Sequence, residues 1–206
     1  MAYDSLCTLG QVKQWLKITT AGDDAGVSAM IMPASEMIGR FCNRDNLGGV
    51  YSYTENYTKK SRTLNDQYSL DLVLRHWPIV SVTSVYVGQT PLTALTGLQV
   101  QQWTPGYYIE EDVAPRILKI IGYPPTFPVQ VTYTAGYAPG SIPFQLQQAC
   151  IQLAGELFRA ESWVDKKSVN VGGEVVSGDM GNSWGMSDKV KAMLMPFRDI
   201  NPFQFR

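Results

Sequence analysis

Val131-Thr132-Tyr133-Thr134-Ala135-Gly136-Tyr137, then Ala138-Pro139-Gly140-Ser141-Ile142-Pro143, then Phe144-Gln145-Leu146-Gln147-Gln148-Ala149-Cys150-Ile151-Gln152-Leu153 is the stretch that decides the fold class. Up to Tyr137 the apolar residues recur with period two and are mostly β-branched or aromatic, which predicts a strand over 129–134. Beyond Pro143, Leu146, Ala149, Cys150, Leu153 and Leu157 recur at helical spacing, while Ile151, Ala154 and Phe158 widen the apolar face. Proline is tolerated in a first helical turn, where its missing donor would be unpaired anyway, so the spacing predicts a long helix over 141–164. A helix apolar around much of its circumference either lies deep in a core or offers a second face to a neighbouring subunit.

Period two extends backwards to Val50. It predicts further strands at 50–58, 70–76, 80–87, 98–101, 107–111 and 117–120, with Gly88-Gln89, Thr104-Pro105-Gly106 and Gly122-Tyr123-Pro124-Pro125 as turn chemistry between them. A small antiparallel sheet or partly closed barrel is the expected product. Before this region the pattern is helical again. Thr8 followed by Gln11 is a capping-box signature, and Leu9, Val12, Trp15 and Leu16 then mark a short helix ending near Ile18. Asp23 and Asp24 are candidate caps for a second helix, whose stripe of Val27, Met30, Ile31, Ala34, Ile38 and Phe41 runs down to Asn43. Pro33 lies inside that stripe and is expected to bend the helix or shift its start, because it removes one donor.

The C-terminal part reads differently. Residues 165–185 hold five glycines in 21 residues and few large apolar groups, too little to bury for stable order, so a mobile loop is expected. Within it, Val169 to Val176 reads as two short strands around Gly172-Gly173. Ser187 then caps a last helix carrying Val190, Met193 and Leu194, stopped by Pro196, and a tail follows from Asp199. The class is therefore α+β: a helical domain of N-terminal helices (8–48), long helix and short C-terminal helix with tail (186–206), carrying an antiparallel strand-rich insertion (49–140). With 206 residues, one domain is the starting expectation.

Composition narrows the function. Charged residues make up 17% of the chain, below the roughly 25% typical of soluble chains, which hints at surface hidden between subunits. Seventeen basic and eighteen acidic residues leave a net charge of −1, without the basic footprint of a tight DNA binder. No apolar run approaches the roughly 18–20 residues of a membrane helix, and the N-terminus lacks the basic-then-apolar opening of a secretory signal, so a cytoplasmically made protein without a membrane partner is expected. Cys7, Cys42 and Cys150 are far apart and read as reduced, buried small hydrophobes.

Chemistry is hard to find. The single histidine, His76, sits between Arg75 and Trp77 at a predicted strand end, where local hydrogen bonds explain it better than catalysis. Glu110-Glu111-Asp112 alternates faces and reads as a solvated strand end, and no phosphate-binding glycine motif occurs. No catalytic, cofactor-binding or metal residue is assigned. Lys59, Lys60 and Arg62, near Tyr51, Tyr53 and Tyr57, are candidate contacts to a lumen or partner. Trp103, Tyr107, Tyr108, Tyr133 and Tyr137 would be the aromatic face of a carbohydrate-binding module, a distant alternative reading.

Several segments read together resemble the head-to-tail connector, or adaptor, family of tailed bacteriophages and prophages. They are Thr8 to Ile18, Asp23-Asp24 with Ile38-Gly39-Arg40-Phe41-Cys42-Asn43-Arg44, Leu70-Asp71-Leu72-Val73-Leu74-Arg75 with Trp77 to Val85, Val131 to Tyr137 leading to Ile142-Pro143, and Val190 to Arg198. The resemblance implies a non-enzymatic virion protein of the neck, made in the host cytoplasm. It implies a ring of twelve copies under the portal, continuing the DNA channel, with a stopper or tail-terminator protein below. A stopper or tail-completion protein is the nearest rival reading. On this basis Met193, Phe197, Arg198, Ile200, Phe203, Phe205 and Arg206 are candidate portal contacts, and Val169, Val171, Val175, Val176 and Trp184 candidate inter-subunit or neck contacts.

Overall fold

The computed structural model describes residues 4–45, 47–57, 69–101, 104–110, 117–123, 128–138, 140–161, 168–171, 174–177 and 185–199. In chain order these form α1 (Leu9–Leu16), α2 (Asp24–Cys42), β1 (Val50–Tyr57), β2 (Ser69–Val73), β3 (Ile79–Val87), β4 (Thr90–Pro91), α3 (Gly97–Gln101), β5 (Gly106–Glu110), β6 (Ile117–Ile121), β7 (Val129–Gly136), α4 (Phe144–Glu161), β8 (Ser168–Val171), β9 (Glu174–Ser177) and α5 (Asp188–Leu194), with a 3₁₀ turn at Met195–Phe197. The fold is α+β. The chain divides into two compact units, a helical one built from residues 1–48 and 138–206, and a strand-rich one from 49–137.

In the helical unit, α1 starts at the expected capping box: the Gln11 amide donates to Thr8 Oγ1, and the Thr8 amide donates to Gln11 Oε1 at 2.8 Å. It ends at Lys17, whose left-handed backbone (φ 60°) turns the chain. Asp23 occupies the N-cap of α2 but makes no side-chain capping bond; Asp24 instead pairs with Lys13 Nζ at 2.5 Å. Pro33 does not divide α2, which runs unbroken past it. Pro33 and Ala29, whose carbonyl loses its donor, are both exposed, so water can replace the missing bond. Val27, Ile31, Ala34 and Ile38 of α2 are buried, as are Val12 of α1, Leu146, Ala149, Cys150, Leu153 and Ala154 of α4, and Val190 and Leu194 of α5. Small residues let these helices approach closely. A Cβ on Gly155 would lie 2.3 Å from the Trp15 ring. The helix α4 begins at Phe144 and not at Ser141, because the Pro143 carbonyl already accepts the first helical bonds, from Leu146 and Gln147.

The strand unit holds two sheets, in the orders β1-β7-β3-β4 and β2-β6-β5, all neighbours antiparallel. Tyr107 of β5 bonds the backbone of Thr93 and Leu95 just beyond β4, which links the sheets along one side. Alternation sends Val85, Val87, Val129, Val131, Tyr133 and Ala135 from the first sheet against Leu70, Leu72, Tyr107, Leu118 and Ile120 from the second. The outer face of the first sheet is neutral and mainly polar, with Thr54 on Thr132, Asn56 on Gln130 and Ser81 on Thr134, beside exposed Val50 and Tyr86. β2 stops at Val73, opposite Ile117 of β6, short of the expected 76.

One expected strand is absent. Residues 98–101 lie in the short helix α3: the amide and hydroxyl of Thr96 both donate to Gln99 Oε1, and Val100 bonds back to the Thr96 carbonyl. A local capping arrangement outweighs the weak alternation of four residues.

Candidate functional site

The densest polar cluster lies in the strand unit. Period two puts Tyr53, Glu55 and Tyr57 of β1 on one face, β7 contributes Tyr133, and the chain leaving β2 brings Arg75 and His76. His76 Nδ1 is 3.1 Å from Glu55 Oε1 and 3.3 Å from the Tyr133 hydroxyl, while its ring stacks on Tyr53 at 3.6 Å. The hydroxyls of Tyr133 (2.7 Å) and Tyr57 and the Arg75 amide all donate to the Glu55 carboxylate, whose side chain is 12% exposed. Burial pushes the Glu55 carboxyl up, but the bonds from His76, Tyr57, Tyr133 and the Arg75 amide outweigh it and hold the group below its ordinary range. Burial and then the Glu55 carboxylate push the Tyr57 and Tyr133 phenols far up, so both stay protonated donors.

These groups bond one another, and the arrangement fixes strand β1 to β7 and to the 75–76 segment. His76 therefore does bond at a strand end, and its partners include residues 21 and 57 positions away. Glu55 was not singled out in the sequence. An acidic residue amid the alternating tyrosines of β1, on the face the pattern sends inward, was the available signal.

Exposed apolar groups occur in both units, among them Val50, Val73 and Val80 in the strand unit and Phe144, Met195 and Met32 in the helical one. Ser187 caps α5 by accepting from the Val190 amide and donates to Glu156 of α4 at 2.8 Å, and the Asp199 amide donates to the Cys42 carbonyl at 2.8 Å. These bonds and the buried Val190 and Leu194 seat α5 on α4 and α2. Outside that seat, Met193 and Phe197 are half-buried, Met195 is 54% exposed, and the exposed Arg198 lies with its guanidinium 5.4 Å from the Phe41 ring. Phe144, the first residue of α4, is 75% exposed and Met32 of α2 is 47% exposed.

Of the other sequence candidates, Val169, Val171, Val175 and Val176 fall in the antiparallel pair β8–β9, with Val169 opposite Val176. Lys59, Lys60, Arg62, Trp184, Ile200, Phe203, Phe205, Arg206, Trp103 and the Glu111-Asp112 pair lie outside the described residues, as does most of the expected mobile loop. Tyr107 and Tyr133 are buried in the core, which removes them from any sugar-binding face. A cleft of about 340 Å³ between Asn56, Tyr86, Gln89 and Gln130 is lined by neutral groups. Among the described residues, no three His, Cys, Asp or Glu side chains gather as a metal site, and no helix is long and apolar enough to cross a membrane.

No curated protein matches the chain. A chain of the solved neck of an empty GTA particle, computed with C6 symmetry, is similar at a TM-score of 0.49 and 16% identity, covering 94% of this chain and 89% of that one. The profile of the head completion protein family matches residues 5–200, nearly the whole length, in agreement with the connector resemblance carried by residues 8–198. The chain belongs to the head completion protein family, and its part in the virion is structural.

Proposed function

We propose that copies of this chain assemble into a ring, of twelve subunits, that joins the capsid portal to the tail or next neck protein and continues the DNA channel. The chain 1–206 acts as a single adaptor. The observation that carries this reading is the exposure of Phe144, Met195 and Met32 on a helical unit that already has a complete core. Large apolar side chains left outside a finished core suit burial against other subunits, and each such interface needs about 1,000 Å² to persist.

The portal contact is assigned to Met193, Phe197 and Arg198 with the tail residues Ile200, Phe203, Phe205 and Arg206. One short tail binds weakly; many presented by one ring bind well through effective concentration. Val169, Val171, Val175, Val176 and Trp184 are assigned to subunit or neck contacts, with a stopper or tail-terminator protein below. Lys59, Lys60 and Arg62 are assigned to the lumen or a partner. A net charge of −1 suits a channel that lets DNA pass without holding it.

Electron microscopy of the purified protein mixed with its portal tests the proposal. A twelvefold ring capping the portal is expected, and a variant lacking residues 199–206 should fold but dock weakly. Portal particles that stay bare overturn the ring reading; undiminished docking of the shortened variant overturns the assignment of the tail.

A further inference from the structure

The helical unit brings together two residues that the sequence keeps 143 positions apart: Cys7 Sγ and Cys150 Sγ lie 3.0 Å from each other, both buried. Two sulfurs in van der Waals contact sit farther apart than this, and a disulfide needs only about 1 Å of further approach. The pair is also held in place. Ser35 of α2 donates to the Ile31 carbonyl at 2.9 Å, accepts from the amide of Leu6, the neighbour of Cys7, at 3.1 Å, and lies 3.5 Å from Cys150 Sγ. One hydroxyl thus ties the N-terminal segment to α2 beside the sulfur carried by α4.

We propose that Cys7 and Cys150 are an intrachain cross-linking site, which closes to a disulfide when the protein meets a small oxidant. Either sulfur can start the reaction, since each lies 3.0 Å from the other. With an azo oxidant such as diamide, the thiolate of one cysteine adds to one nitrogen of the N=N bond. The sulfur of the other then attacks that first sulfur and expels the hydrazide, which carries away both thiol hydrogens. Two thiols are oxidised and one azo group is reduced. Cys42 is an internal control, because its sulfur faces the Leu194 carbonyl at 4.0 Å and burial raises its thiol to about 12.

The test treats the folded full-length protein with diamide in native buffer, alkylates remaining thiols under denaturing conditions, and maps the peptides by mass spectrometry. One species is expected, with the Cys7 peptide joined to the Cys150 peptide inside a single chain, Cys42 alkylated, and the link reversed by dithiothreitol. The melting temperature of the oxidised form should rise by roughly 5–15 °C, since the bond closes a long loop. Cys42→Ser should leave the cross-link intact and Cys7→Ser should abolish it. Three alkylated cysteines, a bond involving Cys42, or a link between chains would each overturn the proposal.

Discussion

Between α1, α2, α4 and α5 the core is mostly aliphatic side chains, small residues and sulfur, with the Trp15 ring against Gly155 and the Phe158 ring beside Gly26. Between the two sheets the core is equally apolar, but its rim ends on a carboxylate wrapped by two phenols, an imidazole and a backbone amide. The first has a buried arginine, Arg44, which does not titrate in acid, and among the described residues it has no buried carboxylate. The second depends on one. Regions of one chain can therefore share a temperature of unfolding and still respond differently to acid, because dispersion and apolar burial ignore pH while a bonded carboxylate does not.

The largest effect is expected from Leu153→Ala, which removes a fully buried side chain from α4. It should cost about 2–5 kcal/mol in denaturant titrations, with the loss equal at pH 7 and pH 4. Glu55→Ala should cost about 2–4 kcal/mol at neutral pH, since it takes the acceptor from the Tyr133 hydroxyl and leaves the Tyr57 hydroxyl only the Val73 carbonyl. Its pH dependence sharpens the contrast. The Glu55 carboxyl is lowered on folding, so its contribution is complete above the unfolded value of about 4.3 and is lost as pH falls through the lower folded value. Glu55→Gln should flatten that part of the acid slope, and amide exchange should place the change in β1 and β7 and not in α4. An unaltered acid slope would dissolve the distinction between the regions.

Smaller effects probe the helical side alone. Gly155→Ala gains helix propensity but drives a methyl into the Trp15 ring, with a net loss of about 1–3 kcal/mol by thermal melting. Thr8→Ala removes the capping box of α1 and should cost about 1 kcal/mol, visible as faster amide exchange over residues 9–12.

Local signals in the sequence were reliable where the cause is local. The Thr8 and Gln11 box, the Ser187 cap and the alternation from Val50 to Tyr57 each depend on residues within a few positions, and each appears in the structure. The same kind of signal was present at Thr96 and Gln99, and weighing it above a four-residue alternation would have given α3. What stayed hidden was pairing across the chain. Nothing near Glu55 announces His76 and Tyr133, and nothing near Cys7 announces Cys150. Such partners are chosen by how sheets and helices stack, which single-residue patterns do not encode.

In the register of β1 and β7, Val50 faces Gly136, so the strand unit's two tethers to the rest of the chain leave from hydrogen-bonded neighbours. Topologically, the helices experience everything between as a short hairpin: once β1 and β7 have zipped, the long excursion adds almost nothing to the entropy of bringing α2 and α4 together.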